Sequence, residues 1–311
     1  MIKRTLYFGN PAYLSMRNGQ LLLRLPEVET SDSFTEKFKK EAVRTFPIED
    51  LGVVVLDDKR ITITHGALER LLENNVAVIT CDSTHMPTGL LMPLNGHSLQ
   101  SERFRDQIDC SRPLQKQLWQ QTVQAKIANQ AAALKQCEPQ CEIGNMLTWA
   151  SQVRSDDAEN LEGRAAAYYW RNFFPECPGF VRHRELDGPN ELLNYGYALV
   201  RAVVARSLVG AGLLPTLGIH HHNRYNAYCL ADDIMEPYRP VVDIAVKRLV
   251  CQHGADCGIT IETKQALLSL PTTEVTIAGH RSPLMVAVET TTASLRKCYA
   301  GEARKIIYPE M

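Results

Sequence analysis

The chain has 311 residues, 45% of them hydrophobic and 22% charged, and a formal net charge of −1 at pH 7. These values are ordinary for a soluble globular protein, and the length allows two domains. A near-neutral chain cannot bind nucleic acid through its overall charge, so any such face has to be a local basic patch that acidic residues balance elsewhere.

The cysteines and the apolar runs exclude two further classes of protein. The nine cysteines are odd in number, and the closest groupings, Cys137 with Cys141 and Cys251 with Cys257, lack the CxxC pairs of a structural zinc site. They indicate buried or free thiols in a reducing compartment. The longest apolar run, residues 197–219, contains two arginines and is broken by glycine and proline, which predicts a buried helix rather than a membrane span. With no signal peptide visible at the start, we expect a prokaryotic cytoplasmic protein without a membrane partner.

Residues 1–84 have the pattern of a β-rich domain. Short apolar runs predict strands at Arg4–Phe8, Tyr13–Met16 and Leu21–Leu25. The Asn18-Gly19 pair between the last two runs supplies the positive φ values of a tight hairpin turn.

The second half of this segment continues the pattern. Leu51–Leu56 and Arg60–Thr64 predict a pair of strands joined by a short polar turn, and Val76–Cys81 predicts a further strand. Gly66–Asn74 has its leucines at helical spacing and predicts a helix. The charged residues 28–46 predict an extended arm or a hairpin.

The periodicity changes after residue 84. Residues 85–100 contain two prolines and two glycines, which favours a linker. Within residues 101–311, apolar residues at helical spacing predict helices over Leu114–Leu134, Glu191–Leu208, Val241–Val250 and Ala287–Tyr299. The predicted fold class is therefore α+β with two domains, a β-rich N-terminal domain followed by an all-helical C-terminal domain.

Three segments carry side chains suited to a divalent cation. Glu162 lies in a run that predicts a helix, where a lone glutamate is most often simply solvated. Of the run His220–His222, at most two rings can face one site, because successive residues point in different directions. Asp233 and Glu236 are three residues apart, so on a helix their carboxylates would share a face and repel unless a cation, an arginine or open water separates them. A set of Glu162, His221 and Glu236 could hold such a cation and leave positions open for phosphate and water. A polar loop and an acidic helix end are the alternative interpretation.

Basic residues form two groups along the chain. One group, at residues 103–126, includes Arg103, Arg105 and Lys126, and a second group, of arginines without lysine, includes Arg164 and Arg201. The arginine fork suits phosphate, so the grouping indicates a phosphate-lined groove. For each residue taken alone, a solvated surface charge is the alternative.

Six phrases span nearly the whole chain: PIEDLGVVVLD (47–57), NNVAVITCD (74–82), LWQQTVQAKIANQ (118–130), LEGRAAAYYW (161–170), LNYGYALVRAVVARSLVGAGLLPTLGIHH (193–221) and LADDIMEPYRPVVD (230–243). In this order they resemble the CRISPR-associated endonuclease and integrase family Cas1. Among its branches the resemblance is to the one found with type II systems, and there to subtype II-C.

This resemblance implies a catalytic C-terminal domain with a Mg²⁺ or Mn²⁺ site. Its catalytic and metal-ligating residues would be Glu162 of LEGRAA, His221 of the histidine loop and Glu236 of the DIMEP phrase. In many relatives the last acid is an aspartate with a second aspartate three residues earlier, so Asp233 is a further candidate ligand, as is His222.

The resemblance also implies partners. Members of the family form homodimers, here through the N-terminal domain of residues 1–84, and two dimers clamp a small Cas2 dimer. The complex binds double-stranded DNA, both the prespacer and the CRISPR array. The large type II effector nuclease is a further candidate partner.

The implied reaction inserts short foreign DNA, the spacer, into a CRISPR array by transesterification. A 3′-hydroxyl attacks a phosphodiester, so no covalent enzyme intermediate is needed, and the metal would stabilise the developing charge. One imidazole ligand favours Mn²⁺ without excluding Mg²⁺. The basic residues would hold the DNA backbone without reading bases. The alternatives are a branched-DNA metal nuclease in repair or defence, which uses water as the nucleophile, and a non-catalytic DNA-binding scaffold.

Overall fold

The structure is a computed structural model that describes residues 3–31, 33–183 and 185–311. The chain divides into two compact units, the first ending at Gly96 and the second running from His97 to Met311. The predicted fold class is confirmed: the first unit is rich in strands and the second is mainly helical.

The N-terminal unit is built on two four-stranded sheets. Its strands are β1 (Arg4–Phe8), β2 (Tyr13–Arg17), β3 (Gln20–Arg24), β4 (Arg44–Pro47), β5 (Leu51–Leu56), β6 (Thr62–Ile63), β7 (Ala77–Cys81) and β8 (Pro87–Leu91). One sheet has the order β1-β5-β7-β8, with the first three strands parallel and β8 antiparallel to β7. The other has the order β4-β3-β2-β6.

Local sequence explains much of this unit. The β2–β3 turn has φ values of 52° at Asn18 and 72° at Gly19, as the Asn-Gly pair predicts. Helix α3 (His65–Glu73) confirms the predicted helix and buries Ala67 and Leu71. The apolar faces of the strands and of α3 share one core, in which Leu14, Leu51 and Val78 are almost fully buried.

Three expectations for this region differ from the structure. The predicted β5–β6 pair is wrong, because β6 pairs in parallel with β2 while β5 is central in the other sheet. Residues 28–46 form neither an arm nor a hairpin: they contain the end of α1 (Pro26–Glu29), all of α2 (Glu36–Glu41) and most of β4. Part of the expected linker 85–100 is strand β8, whose glycine and proline lie on an edge strand, where both are tolerated.

The C-terminal unit contains nine of the helices that the structure describes. They are α4 (Gln100–Ile108), α5 (Arg112–Cys137), α6 (Gly144–Gln152), α7 (Leu161–Phe173), α8 (Pro189–Gly210), α9 (Cys229–Met235), α10 (Arg239–His253), α11 (Ile261–Leu268) and α12 (Leu284–Tyr299). The four helices predicted from apolar spacing are confirmed as α5, α8, α10 and α12. Helix α8 is buried along most of its length, because small and apolar side chains cover all its sides.

The all-helical expectation for this unit needs one correction. Strands β9 (Glu274–Ile277), β10 (His280–Pro283) and β11 (Pro309–Glu310) form a three-stranded sheet in the order β10-β9-β11. A tight turn joins β9 to β10, with φ values of 50° at Ala278 and 77° at Gly279. These strands are too short for a clear alternating pattern in the sequence.

The last residues of the chain pack onto α5. Asn129 donates a hydrogen bond to the carbonyl of Pro309 (2.9 Å) and another to the carbonyl of Pro237 (2.8 Å), and Thr122 pairs with the hydroxyl of Tyr308 (2.8 Å). Helix α5 is thereby fixed against the segment that follows α9. Among the helices of the described residues, none combines the length and the apolarity that crossing a membrane requires.

Candidate active site

Glu162 lies in the first turn of α7, at the end of a constrained loop. The Asp157 carboxylate accepts hydrogen bonds from the backbone N–H groups of Leu161 and Glu162, both at 2.9 Å, and Asn160 caps the helix through Gly163. Asp157 and Asn160 both have positive φ values, 46° and 51°. The loop satisfies the free N–H groups of the helix start and fixes the backbone that carries the Glu162 carboxylate.

A lysine joins Glu162 to Glu236. The Lys126 ammonium of α5 lies 2.6 Å from Oε1 of Glu162 and 2.6 Å from Oε2 of Glu236. Burial alone would lower the pKa of Lys126, but the negative charges of Glu236 and Glu162 outweigh it and raise the pKa. The two carboxylates that the sequence places on separate segments therefore converge on one cation.

Glu236 is a buried carboxylate held by basic groups. It follows α9 directly, and Nε of Arg239 donates to its Oε1 at 2.9 Å. Burial would raise the pKa of Glu236, but the charges of Arg239 and Lys126 lower it to about 2, so the carboxylate is ionised. Among the described residues, no donor is aligned for a hydrogen bond to Oε2, although the Lys126 charge lies beside it.

His221 points its Nδ1 towards a buried carboxylate. Asp233, which is fully buried in α9, pairs with Nδ1 of His221 through Oδ1, and its Oδ2 accepts the backbone N–H of His220 at 2.9 Å. This hydrogen bond raises the pKa of His221, and the charges of Glu236 and Glu162 act in the same direction. With Nδ1 engaged, Nε2 is the ring nitrogen left for a ligand.

Trp119 of α5 orients the histidine loop. The ring of His220 stacks on it at a centroid distance of 4.3 Å, and the ring of His221 meets its edge at 5.5 Å. Nδ1 of His220 also lies 3.5 Å from Asp156. His220 is therefore occupied in packing, whereas His221 is the ring on which the charges of both glutamates act.

The two further candidate ligands have other surroundings. Both oxygens of Asp233 are engaged by the histidine loop, so this residue orients His221, and its role as a metal ligand stays a prediction. His222 is exposed. Of the predicted set, the fold brings Glu162 and Glu236 together at Lys126, and the charges of both glutamates act on His221.

The five predicted DNA-contacting residues divide by their partners. Lys126 pairs with the two glutamates, and Arg201 forms a two-pronged ion pair with Asp232. Arg103 donates to the carbonyl at the end of α8 at 2.7 Å. Arg105 is exposed, and Arg164 is exposed with its guanidinium 4.7 Å from the centre of the Trp149 ring. Arg164 and Arg105 are therefore the two that face solvent.

Sequence reasoning missed several residues of the site. Arg239 has a local signal, since it follows Glu236 by three residues and can reach back to it. Trp119 and Asp157 have no such signal, because their partners in the histidine loop and in α7 are set by the fold or by an unusual loop conformation.

The donor set can be tested for its fit to a divalent cation. Within residues 3–31, 33–183 and 185–311, no three His, Cys, Asp or Glu side chains form a preassembled metal site. The two carboxylates nevertheless already share a cation, and Oε2 of Glu236 is a buried oxygen without an aligned donor. Two carboxylates and one imidazole are suitable ligands for Mg²⁺ or Mn²⁺, so the residues fit such an ion once the ammonium moves.

Residues 12–256 match the family model described as CRISPR associated protein Cas1. The chain belongs to the Cas1 family. A CRISPR-associated endonuclease Cas1 from Neisseria meningitidis serogroup C (strain 8013) is 32% identical over 312 residues, which cover 100% of this chain and 97% of that protein. The resemblance seen in the sequence is thereby confirmed at the level of the family.

Solved structures share the Cas1 fold. A casposase bound to an integration product has a TM-score of 0.76 and 20% sequence identity, covering 98% of this chain and 92% of the casposase chain. A Cas6-RT-Cas1–Cas2 complex has a TM-score of 0.73 and 20% identity, covering 99% of this chain and 36% of that longer chain. The fold therefore extends over the whole chain.

Proposed function

We propose that this Cas1-family chain is a metal-dependent DNA endonuclease and integrase of CRISPR adaptation. It would insert short foreign DNA into a CRISPR array by transesterification with a 3′-hydroxyl. Support comes from the Neisseria relative, named as a CRISPR-associated endonuclease, and from the similar fold of a casposase bound to an integration product.

The observation that carries the proposal is the convergence of Glu162 and Glu236 on one cation beside His221. Two carboxylates with little exposure, 24% and 7% for the side chains, are held together although like charges repel. Such an arrangement is costly unless a cation is bound there, and the site takes one in the form of Lys126.

Mg²⁺ or Mn²⁺ held by Glu162, His221 and Glu236 would supply charge stabilisation to the phosphoryl oxygens of a strand-transfer reaction. Asp233 keeps the His221 ring in the orientation that leaves Nε2 free. Arg239 keeps Glu236 ionised. No nucleophilic side chain is required, since a DNA hydroxyl attacks.

DNA contacts in this proposal come from exposed basic residues. Arg164 is exposed on α7, the helix that carries Glu162, so its guanidinium is accessible to a phosphate of the DNA backbone. Arg105 is the second exposed candidate.

We further propose that the partners are double-stranded DNA, a second copy of the chain through the N-terminal unit, and a small Cas2 dimer. The fold shared with a Cas6-RT-Cas1–Cas2 complex supports the Cas2 partner. We also propose that the chain is of the type II branch of the family and that the large type II effector nuclease is a further partner.

Strand transfer into a supercoiled CRISPR plasmid tests this function. The reaction contains the protein, its Cas2 partner, a short duplex with free 3′-hydroxyls and Mn²⁺ or Mg²⁺. We expect metal-dependent insertion that Glu162→Ala and His221→Ala both abolish, while His222→Ala retains it. Insertion by the Glu162→Ala protein would refute the site.

A parallel assay on branched DNA without Cas2 separates the enzymatic alternatives. Cleavage by water in the absence of any insertion would identify a nuclease rather than an integrase. If the folded wild-type protein binds DNA but shows neither cleavage nor insertion, the result would support the interpretation as a non-catalytic scaffold.

A further inference from the structure

Lys126 occupies an unusual position for a lysine. Its side chain is only 12% exposed, and its ammonium lies 2.6 Å from an oxygen of each of the two glutamates. Nothing else in the sequence of α5 near this point is acidic, so the lysine side chain reaches across to α7 and to the segment after α9.

The two contacts differ in kind. The ammonium donates a hydrogen bond to Oε1 of Glu162, whereas its contact with Oε2 of Glu236 is an ion pair without hydrogen-bond alignment. The charges of Lys126 and Arg239 together offset that of Glu236. A divalent cation binds carboxylate oxygens directly, so it can replace the ammonium between the two glutamates.

We propose that Lys126 is a displaceable internal cation: its ammonium holds Glu162 and Glu236 together in the metal-free protein and leaves when a divalent ion binds. This inference rests on the proposed function, because it concerns the same two carboxylates.

The displaced ammonium has a path to solvent. The Lys126 side chain is already 12% exposed, and its long, flexible stem allows the ammonium to turn from the two carboxylates towards water while the stem stays packed.

The exchange changes the charge of the site. In the metal-free protein the charges of Glu162 and Glu236 are balanced by those of Lys126 and Arg239, so the site offers phosphate no net attraction. A divalent ion adds two positive charges without removing the lysine from the neighbourhood. The site then attracts the DNA backbone, and DNA binding is tied to metal loading.

Lysine labelling followed by mass spectrometry tests the displacement without an activity assay. The protein is acylated with and without Mn²⁺, in the absence of DNA. We expect the labelling rate of Lys126 to rise at least about fivefold with Mn²⁺. Lys247 is the internal control, because its ammonium also bridges two glutamates, Glu138 and Glu176, at 2.6 Å and 2.5 Å with a side chain 5% exposed. Equal labelling of Lys126 in both conditions, with Mn²⁺ shown to be bound, would overturn the proposal.

The Mn²⁺ affinity, measured by electron paramagnetic resonance at pH 8, tests whether displacing the Lys126 ammonium costs binding free energy. Lys126→Met should bind Mn²⁺ about tenfold more tightly or better than wild type, because a charge-assisted hydrogen bond no longer has to be broken. Lys116→Met is the matched control. It removes a positive charge from the same helix whose partner, Asp156, is only partly buried, and it should change the affinity less than about twofold. Circular dichroism establishes whether the variants are folded. If Lys126→Met does not fold, Lys126→Arg, which keeps the positive charge, is measured in its place.

The outcomes separate this inference from the proposed function. If wild type binds Mn²⁺ in a manner that Glu162→Ala abolishes but Lys126→Met binds it no more tightly, the displacement is refuted and the metal site stands. If Glu162→Ala leaves Mn²⁺ binding unchanged, the metal site itself is refuted, and the displacement with it.

Discussion

Asp243 offers a quantitative test of the packing beneath the active site. Its carboxylate is fully buried in α10 and accepts hydrogen bonds from the hydroxyls of Tyr169 (2.9 Å) and Tyr197 (2.5 Å). Arg239, which pairs with Glu236, lies over the ring of Tyr197 at 4.5 Å. Burial raises the pKa of Asp243 to about 7, although the two hydroxyls and the nearby arginines oppose the rise.

The raised pKa makes stability depend on pH with a definite sign. An aspartate in an unfolded chain has a pKa of about 3.9, so between pH ~4 and ~7 the folded protein keeps a proton that the unfolded chain releases. The stabilising contribution is complete below pH ~4 and is lost as the pH rises through about 7. At ~1.4 kcal/mol per pKa unit, the loss amounts to about 4 kcal/mol.

Asp243→Asn removes this dependence, because an amide does not ionise and can still pair with both tyrosine hydroxyls. Urea unfolding followed by tryptophan fluorescence measures it, since Trp119, Trp149 and Trp170 all lie in the C-terminal unit. Between pH 5 and pH 8 we expect the free energy of unfolding of the variant to rise relative to that of wild type by about 2–3 kcal/mol.

The comparison of two proteins cancels the titration of shared groups such as His221. Asp187→Asn, the same exchange at an exposed position, controls for the loss of one negative charge. Parallel stability curves for wild type and Asp243→Asn over this range would show that the carboxylate is already ionised when folded, and would refute the reasoning from burial.

Two further predictions concern DNA binding and the helix that carries the catalytic glutamate. Arg164→Ala should weaken DNA binding and reduce the slope of log affinity against log salt concentration by about one. Arg201→Ala should leave this slope unchanged, because the Arg201 guanidinium is already paired with Asp232. A salt series followed by fluorescence anisotropy measures both slopes, and equal slopes for the two variants would contradict the assignment. Asp157→Ala should lower the free energy of unfolding by about 1–2 kcal/mol, because the N–H groups of Leu161 and Glu162 lose their acceptor. Asp157→Asn, which keeps an acceptor oxygen, should lower it less. Urea unfolding measures both variants, and an alanine variant as stable as wild type would show that water replaces the cap.

The fold could be predicted from the sequence where the signal is local. The Asn18-Gly19 turn and the apolar spacing of α5 and α8 are properties of neighbouring residues, and the structure has them as expected. Which strands pair with one another is not a local property of the sequence. The pair Leu51–Leu56 and Arg60–Thr64 has the spacing of a hairpin, yet β5 takes parallel neighbours on both sides because its side chains are buried on both faces.

The site shows the same division. Glu162, His221 and Glu236 could be identified as candidates from their sequence phrases. The sequence does not predict that the Lys126 ammonium lies between the two glutamates. Lys126 was expected to contact phosphate because it lies in a basic stretch, and only the packing of α5 against α7 shows that its nearest charges are the two glutamates. The distinction between Asp233 and Glu236 also requires the fold, because the acids are three residues apart and turn to different partners.

The strand order of the N-terminal unit has a consequence for how a growing chain folds. Strand β1 precedes the other described strands in the chain, but its parallel neighbour β5 begins only at Leu51, after the β2–β3 hairpin is complete. A parallel pair cannot close through a short turn, so β1 stays unpaired while the hairpin behind it already forms. During translation its apolar residues Leu6 and Phe8 are therefore exposed longest, and this strand is where a nascent chain most needs protection from aggregation.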